Sequence, residues 1–399
     1  MGLGREEDKQ LAQQLRLCAV ELGMSPALGG DVRVEFEPRT TVLVGKNGVG
    51  KSAILERIAK AFLNVWAAPQ FPRPDPGAFA CDIDWAGKSI RYQCRWRPSE
   101  ESEAGEDNPA ASIPIFDEVC AQAGSEEFFW RVEDGVVSTP HDTEWPIPVG
   151  RSLINMRLSG RYSGSYPDIA GALFEWFSSV TSIGAGLLRG GTDRESLILD
   201  YTAPAQTRAA TRNKYPRLEW LAYRLVRWHQ EFRVQFDEVV ALGRRVQLFE
   251  DIAVKFYVES GRDEDSQGKK SFCAVFIDGV NIGLLSDGTL RALEILHALV
   301  NPEYKLVLID EPESAAHPGL LARLLAEIDA YSIDRQILIS TQSQQVVNWA
   351  QPAAIRLVER AEGVTSARRL DEAMLARVER YLHDDDTLSD FIYGGGLDE

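Results

Sequence analysis

Apolar residues in the first part of the chain follow the period of strands and then the period of a helix. Residues 11–22, 32–36 and 41–44 carry short apolar or β-branched runs, which predict three strands. A glycine-rich segment comes next. Residues 51–63 then place apolar side chains at helical spacing, so we expect one face of this helix to pack on a sheet: Ile54, Leu55, Ile58, Ala61 and Phe62.

The middle of the chain predicts a hairpin, a polar loop and a long helix. Residues 81–85 and 90–96 alternate like the two strands of a hairpin around Gly87. Residues 98–109 are polar and lack apolar periodicity, so we expect a mobile surface loop there. Between residues 216 and 240, apolar side chains recur in steps of three or four, which predicts one amphipathic helix: Leu218, Leu221, Leu225, Trp228, Phe232, Phe236 and Val240.

The last third of the chain alternates between strands and helices. Residues 252–259 and 271–277 alternate like strands and are joined by the polar segment 260–270. Residues 305–309 and 336–340 are continuous apolar runs with a helical pattern between them. Such runs are typical of a parallel sheet that is buried on both faces, so the sequence predicts an α/β protein.

Composition narrows the class of protein. The chain has 399 residues with 44% apolar side chains, enough to bury a large core, and a formal charge of −17 that repels nucleic acid and anionic membranes. No run approaches the roughly 18 apolar residues of a membrane span, and the N-terminus has no apolar signal segment. The five cysteines match neither a zinc-site spacing nor a disulfide framework. We therefore expect a cytoplasmic protein without membrane contact.

One stretch of this acidic chain is densely basic and flanks the long predicted helix. Its basic residues are Arg208, Arg212, Lys214, Arg217, Arg224, Arg227, Arg233, Arg244 and Arg245. Two interpretations remain open. Solvated arginines on a helix that covers the core are favoured, because charge runs are usually solvated. The alternative is a local patch, between residues 208 and 245, that contacts nucleic acid.

A phosphate-binding loop follows the third predicted strand. Its residues form a complete G-x-x-x-x-G-K-S pattern: Gly45, Lys46, Asn47, Gly48, Val49, Gly50, Lys51 and Ser52. Glycines let backbone N–H groups wrap phosphates, and the following helix adds positive potential at its N-terminus. Lys51 would reach the outer phosphates, and Ser52 would ligate Mg²⁺. The pattern predicts a nucleotide site with ATP and Mg²⁺ as cofactors.

A second motif completes the predicted magnesium site. The apolar run 306–309 ends in Asp310 and Glu311, which resembles a Walker B motif. Asp310 would hold the Mg²⁺, and Glu311 would polarise the attacking water, because that role needs a carboxylate beside the metal ligand. Together with the phosphate loop, these residues predict ATP hydrolysis, with Lys51 and Glu311 as catalytic residues.

A third motif lies 22 positions before Asp310 and resembles the ABC signature L-S-x-G. Its residues are Leu285, Ser286, Asp287 and Gly288, at the start of a predicted helix. A serine hydroxyl, glycine N–H groups and a helix N-terminus suit a phosphate. A plain helix cap by Ser286 or Asp287 is the alternative. In ABC proteins this motif binds the nucleotide held by the other subunit, so the resemblance implies a head-to-tail homodimer with two shared sites.

The resemblance can be narrowed within the ABC-type ATPases. Two segments resemble the SMC, RecF and OLD branch: residues 284–296 and residues 308–318. The second segment carries an Asp-Glu-Pro-Glu…His-Pro pattern, and Glu313 and His317 would fall in the D-loop of that branch. The resemblance implies an α/β P-loop NTPase head, a mixed sheet with flanking helices. We expect the lobes at residues 1–65 and 251–399, and a compact inserted helical and β subdomain at residues 66–250.

One residue departs from the family pattern. The strand after Walker B normally ends in a switch histidine, and Gln342 stands there. Glutamine can hydrogen-bond a phosphate or water but cannot carry a proton at neutral pH, so we expect slow hydrolysis. The alternative is that Gln342 only caps the next helix. Gln70 and Gln93 are both candidates for the family's Q-loop residue.

The resemblance also implies a function. We expect an ATPase that dimerises on ATP. The dimer would control a separate nuclease or toxin, or act on DNA, in bacterial anti-phage defence. Assembly of such dimers into a higher oligomer is a further possibility. A RecF-like repair ATPase and an ATP-gated scaffold with negligible turnover are the alternatives, and a transporter engine is disfavoured. The chain continues only 56 residues beyond Ser343, so we expect no C-terminal Toprim nuclease of the OLD type.

Overall fold

The computed structural model describes residues 11–66, 77–98, 114–125, 127–140, 144–148, 151–159, 168–184, 196–200, 217–258, 271–382 and 387–394. They belong to two compact units. Unit 1 is drawn from Met1–Gly184, Glu303–Asp310 and Ser332–Glu399, and unit 2 from Ala185–Pro302 and Glu311–Tyr331. The boundaries of these two units differ from those expected for the two lobes and the insertion, so that division of the chain stays a prediction. The expected mobile loop 98–109, apart from Pro98, and the segment 260–270 lie outside the described residues, as do Arg208, Arg212 and Lys214.

Most of the described strands belong to unit 1, whereas the described helices are divided more evenly between the two units. In chain order the described strands are β1 (Leu15–Leu22), β2 (Val32–Glu35), β3 (Thr40–Val44), β4 (Gly77–Trp85), β5 (Lys88–Pro98), β6 (Pro114–Gln122), β7 (Phe128–Glu133), β8 (Val136–Ser138), β9 (Glu144–Pro146), β10 (Val180–Ile183), β11 (Leu199–Asp200), β12 (Ile252–Val258), β13 (Ser271–Ile277), β14 (Val280–Asn281), β15 (Leu306–Asp310), β16 (Gln336–Thr341), β17 (Ile355–Ala361) and β18 (Val364–Arg369). The described helices are α1 (Lys51–Trp66), α2 (Leu153–Ser159), α3 (Asp168–Ser178), α4 (Arg217–Glu231), α5 (Arg233–Arg245), α6 (Asp287–Val300), α7 (Pro318–Tyr331), α8 (Gln344–Trp349), α9 (Glu372–Leu382) and α10 (Leu388–Tyr393). Among these residues, no helix combines the length and apolar composition that a membrane span needs.

A largely parallel sheet in unit 1 confirms the predicted α/β class. Within the described residues its order is β10-β15-β16-β3-β17-β18, and only the β17–β18 pair is antiparallel. The strands β15 and β16 are buried throughout, as their continuous apolar runs predict. The helix α1 packs on β10, β15 and β16 through the predicted apolar face. The carboxyl ends of the five parallel strands, β10, β15, β16, β3 and β17, therefore meet at one edge.

The other large sheet of unit 1 is antiparallel. Its order among the described strands is β2-β1-β4-β5-β6-β7-β8-β9, so strands from residues 15–35 pair with strands from residues 77–146. The predicted hairpin around Gly87 is present, with Ala86 and Gly87 at positive φ values of 50° and 83°. Two central residues with φ > 0 match the right-handed twist of paired strands.

The inner face of this antiparallel sheet buries a carboxyl group. Glu118 on β6 is 1% exposed and accepts hydrogen bonds from the backbone N–H of Leu153 (2.8 Å) and the hydroxyl of Tyr92 (3.1 Å). Burial raises the pKa of Glu118 from 4.5 to about 7, despite these two donors and with a smaller contribution from the nearby Asp117. The group is therefore protonated in the folded chain at pH values where the unfolded chain has lost the proton.

Glu118 is expected to make the fold less stable as the pH rises from about 4.5 to 7. In that window the folded state retains a proton that the unfolded state releases, so the free energy of unfolding falls with pH. The total loss is on the order of 3 kcal/mol. We expect Glu118→Gln to remove this component, measured as urea unfolding of both proteins between pH 5 and 8. Parallel pH profiles of the two proteins would contradict it.

Unit 2 corrects the prediction of one long helix between residues 216 and 240. The chain forms α4 and α5 instead, because Phe232 leaves the helical region with φ −133° and ψ 62°. Phe232 was expected on the buried stripe, yet it is 39% exposed and lies under the Arg227 guanidinium. The apolar stripe resumes with Phe236 and Val240, which are buried. A break of one residue preserves the spacing of three or four, so periodicity alone could not reveal it.

The rest of unit 2 forms around these two helices. In the described part of the chain, β11, β13 and β12 pair antiparallel in that order, and β14 pairs with β13. One apolar core contains the stripe residues of α4 and α5 together with residues of α6, α7 and β13. Unit 2 thus has its own hydrophobic core, into which the helix that follows the signature motif is packed.

Candidate functional site

The phosphate loop has a backbone that favours glycine at two positions. Gly48 and Gly50 adopt φ values of 79° and 107°, which side chains with a Cβ rarely tolerate. A Cβ at Gly50 would also lie 2.7 Å from the hydroxyl of Thr365. At Gly45 a Cβ would lie 2.3 Å from the carbonyl oxygen of Val358. The strand β3 delivers this loop and α1 begins at its end, as the motif predicts.

Lys51 lies within the curve of the loop. Its ammonium group donates to the carbonyl oxygens of Gly45 (2.8 Å) and Lys46 (2.9 Å), and the residue is only 5% exposed. These bonds hold the positive charge beside the backbone N–H groups that would receive phosphates. The arrangement fits an anionic ligand, because charge and loop amides then act on the same group.

Asp310 lies beside the loop at the carboxyl end of β15. The Ser52 hydroxyl donates to Asp310 Oδ1 over 2.9 Å, and the Ser340 hydroxyl donates to the same oxygen. A hydroxyl and a carboxylate at this distance suit Mg²⁺, which usually takes one or two carboxylates with phosphates and waters. No group of three or more His, Cys, Asp or Glu side chains elsewhere in the described residues could hold a metal. Ser52 and Asp310 therefore fit the predicted magnesium site.

Glu311 directly follows Asp310 and has a strained backbone. Its φ of 48° and ψ of 65° lie in the left-handed region, which costs a residue with a Cβ roughly 1–2 kcal/mol. The turn that follows, Pro312–Ala315, accommodates it, because the Ser314 hydroxyl donates to the Glu311 carbonyl over 2.9 Å. Strain of this kind persists where surrounding structure imposes it, and it is concentrated at functional sites.

Gln342 follows the last residue of β16. Thr341 pairs with Val44, the residue before Gly45, so Gln342 leaves the sheet at the edge where the phosphate loop begins. The N-cap residue of α8 is Ser343, whose N–H donates to the Thr341 hydroxyl over 2.9 Å. Ser343 makes no side-chain capping bond, so both interpretations of Gln342 stay predictions. The Gln342 side chain is exposed.

The signature residues lie in unit 2 at the start of α6. Ser286 is exposed and caps the helix, since its hydroxyl accepts from the N–H of Thr289 over 3.1 Å. Ser286 thus makes the N-cap hydrogen bond that the alternative interpretation, a plain helix cap, predicts. Capping and phosphate binding both use a hydroxyl and the backbone N–H groups of the first helical turn. The observed cap is therefore compatible with the predicted role of the signature in binding phosphate.

The helix α6 is anchored by buried polar residues. Glu294 pairs with Arg217 over 2.6 Å, and burial raises the pKa of Glu294 in spite of this partner. His297 is 1% exposed and stacks on Trp228 with ring centroids 4.2 Å apart. Burial and the nearby Arg224 keep the pKa of His297 well below its usual value, so this ring is neutral. These contacts fix the helix that carries the signature.

Two further predicted positions have simple local roles. His317 precedes α7, and its Nδ1 accepts from the N–H of Leu320 over 3.3 Å, as a helix start with proline at the first position implies. Gln93 lies within β5 and pairs with Ala80 and Val119 in the middle of the antiparallel sheet. Gln70 lies outside the described residues. The Q-loop residue therefore stays unassigned.

Every described arginine of the basic stretch contacts a group of its own unit. The acidic partners are Glu294 for Arg217 (2.6 Å), Glu231 for Arg227 (2.8 Å), Asp237 for Arg233 (3.0 Å), Asp251 for Arg244 (3.9 Å) and Glu327 for Arg245 (2.8 Å). Arg224 lies over the rings of Trp220 and Trp228. Such contacts favour the interpretation of a helix surface with internally paired charges, and nucleic-acid binding by this stretch stays a prediction.

Two hydroxyl residues of the site were not singled out from the sequence. Ser340 precedes the switch position but lies inside an apolar strand pattern, where a serine carries little signal. Thr365 is fully buried on β18, and its hydroxyl donates to the carbonyl of Val49 in the phosphate loop over 2.9 Å. Its separation from the loop in sequence hides this contact, which only the pairing of β17 with β3 creates.

Comparison with known families adds an independent observation. Residues 187–348 match a family described as "AAA domain, putative AbiEii toxin, Type IV TA system". This part of the chain is similar to an AAA-type domain. The match spans less than half of the chain and includes the signature residues, Asp310, Glu311 and Gln342. The match supports the prediction of an ABC-type ATPase. A search of curated proteins finds no match.

Solved structures that are similar to this chain include three SMC heads. The SMC head domain from Thermotoga maritima is 15% identical, with a TM-score of 0.40 and coverage of 89% of this chain and 99% of that chain. An Smc head bound to the C-terminal winged-helix domain of ScpA is 14% identical, with a TM-score of 0.44 and coverage of 90% and 98%. An Smc head domain with an extended coiled coil, bound to the C-terminal domain of ScpA from Pyrococcus furiosus, is 11% identical, with a TM-score of 0.44 and coverage of 92% and 100%. Similarity at this level says nothing about partners or activity.

Proposed function

We propose that this chain binds ATP with Mg²⁺ and hydrolyses it slowly. The observation that carries the proposal is the hydrogen bond between Ser52 and Asp310, which joins the phosphate loop to the end of β15. Phosphate loops supply the lysine and the hydroxyl, and the neighbouring strand supplies the carboxylate that Mg²⁺ requires. The AAA-type family match supports the same activity class.

Each residue of the site has a distinct task in this proposal. The N–H groups of the loop and the Lys51 ammonium bind phosphate oxygens, while Ser52 and Asp310 hold Mg²⁺, which neutralises charge on the phosphates. Glu311 accepts a proton from the attacking water. The Gln342 amide orients that water or the terminal phosphate, but it cannot take up a proton, which is why we expect slow turnover.

We further propose that two chains share each nucleotide site, head to tail. Ser286 and the exposed start of α6 offer a hydroxyl and helix N–H groups to a phosphate bound by another copy. The proposed outcome of ATP binding is control of a separate nuclease or toxin. The family description, which names a putative toxin of a type IV TA system, supports a link to a toxin, and we place this role in bacterial defence. Direct action on DNA and a repair role are weaker alternatives.

The proposed activity is tested by measuring ATP binding and phosphate release together. We expect Lys51→Met to weaken ATP affinity at least about tenfold, because the ammonium that binds the phosphates is lost. Lys60→Met is the matched control, since Lys60 lies on the same helix but is exposed and pairs with Glu56. Calorimetry measures binding and a phosphate sensor measures turnover. Equal ATP affinity in all three proteins would exclude the loop as the site.

A second candidate function is an ATP-gated scaffold with negligible turnover. Gln342 favours it, because a side chain that cannot titrate stands where hydrolytic relatives are expected to have histidine. The two functions differ in one measurement. Tight ATP binding without phosphate release supports the scaffold, whereas steady release that depends on Glu311 supports the enzyme.

A further inference from the structure

Asp310 is held by two serine hydroxyls that differ in their surroundings. Both donate to the same carboxylate oxygen, Oδ1. Ser52 is exposed in the first turn of α1, whereas Ser340 is fully buried within β16. Asp310 itself is 5% exposed. The carboxylate therefore has one partner that faces the ligand side and one that belongs to the interior of the sheet.

The register of the parallel sheet explains why Ser340 faces Asp310. The two residues are direct partners in the pairing of β15 with β16, and directly opposed side chains point to the same side of a sheet. The preceding residues of β16, Leu338 and Ile339, are apolar and fully buried. The hydroxyl at Ser340 thus interrupts an apolar strand at the one position where the neighbouring strand carries the acid.

We propose that Ser340 is a positioning residue that keeps the Asp310 carboxylate oriented toward Mg²⁺. The inference rests on the proposed function, because it takes Ser52 and Asp310 as the residues that hold the ion. Ser52 would contact Mg²⁺ through an oxygen lone pair, whereas Ser340, buried in the sheet, would hold Oδ1 without contacting the ion itself. Partners that orient a metal ligand commonly contribute 10- to 100-fold to metal affinity.

If Ser340 only filled space in the sheet, replacement by alanine would leave Mg²⁺ binding unchanged. Alanine fills nearly the same volume as serine and would serve equally well in a buried strand. The positioning role needs the hydroxyl, so alanine removes it and threonine retains it. The effect must also be specific to Mg²⁺, since Asp310 contributes to the ion rather than to the nucleotide directly.

The experiment compares nucleotide affinity with and without Mg²⁺. Calorimetry with adenylyl imidodiphosphate, in excess Mg²⁺ and in EDTA, gives for each protein the ratio by which Mg²⁺ tightens binding. We expect Ser340→Ala to lower this ratio about tenfold while affinity in EDTA is unchanged. Ser340→Thr is expected to restore the ratio. Ser332→Ala, a fully buried serine before β16 whose hydroxyl accepts from Arg39, is the matched control.

The possible outcomes separate this inference from the proposed function. A wild-type ratio in Ser340→Ala, with a lowered ratio in Asp310→Asn, overturns the role of Ser340 and leaves the magnesium site standing. An unchanged ratio in Asp310→Asn overturns the magnesium site itself. Should Ser340→Ala fail to fold, Ser340→Cys offers a weak donor of similar shape. A lowered ratio in that variant supports the proposal, and a wild-type ratio overturns it.

Discussion

Replacing Glu311 with glutamine is expected to lower the rate of ATP hydrolysis about 10²- to 10⁴-fold while ATP affinity is retained. Glutamine keeps the size and the hydrogen-bonding reach of the side chain, but its amide cannot accept the proton of the attacking water. The loss therefore falls on the chemical step rather than on binding. Single-turnover phosphate release measures the first quantity, and calorimetry with ATP measures the second.

The strained backbone at Glu311 calls for its own control. Glu362→Gln changes another glutamate with positive φ, 51°, in the turn between β17 and β18, and is expected to leave hydrolysis unchanged. Glu311→Gly should abolish hydrolysis and yet stabilise the fold by about 0.5–1 kcal/mol, since glycine adopts the left-handed region without strain. Hydrolysis at the wild-type rate in Glu311→Gln would remove Glu311 from the mechanism.

The second large effect is expected from Ser286→Arg, which should abolish hydrolysis while the phosphate loop still binds ATP. Ser286 lies exposed at the start of α6, so an arginine there places a long charged side chain where another copy's nucleotide would dock. ATP-dependent dimerisation should be lost with it. Sedimentation with and without ATP measures the dimer, and phosphate release measures the activity. Equal loss of ATP binding in a folded Ser286→Arg protein would refute the shared site.

Loss of the helix cap must be separated from loss of the shared site. Removing a cap costs about 1 kcal/mol of stability. Thr387→Arg is the matched control, because Thr387 caps α10 through the N–H of Asp390 and is also exposed. This variant should lose similar stability and keep hydrolysis. The comparison assigns any further effect of Ser286→Arg to the signature rather than to the fold.

Mixing two inactive variants gives a stricter test of the head-to-tail arrangement. In a mixed dimer of Ser286→Arg and Lys51→Met, one site combines an intact phosphate loop from the first chain with an intact signature from the second. Hydrolysis should therefore reappear on mixing, at no more than about half of the wild-type rate for one of two sites. Without any recovery, despite a mixed dimer seen by sedimentation, the site would have to be complete within one chain.

Several parts of the fold and site could be predicted because short segments specify them. The phosphate loop favours glycine at Gly48 and Gly50, since their backbone has positive φ. The buried strands β15 and β16 are continuous apolar runs, and a run that ends in Asp310 places that carboxylate at the edge of the sheet. The hairpin around Gly87 depends only on its own turn.

Other parts could not be predicted because they depend on distant segments. The short strand β10 lies inside the expected insertion, yet it pairs with β15 in the parallel sheet. Ser340 acquires its contact with Asp310 only from the register that sets the two residues opposite each other, and Thr365 acquires its contact with Val49 through a separate hairpin. Neither hydroxyl changes the local pattern of its strand.

The sequence by itself therefore determined the chemistry of the loop, the acid that follows β15 and the α/β class, because each is encoded within a few consecutive residues. Tertiary structure alone decided the break at Phe232, the pairing of the arginines between residues 217 and 245, and the two serines that share Asp310. These features arise from contacts between residues far apart in the chain. A single-sequence pattern carries no information on such contacts until the strands have found their register.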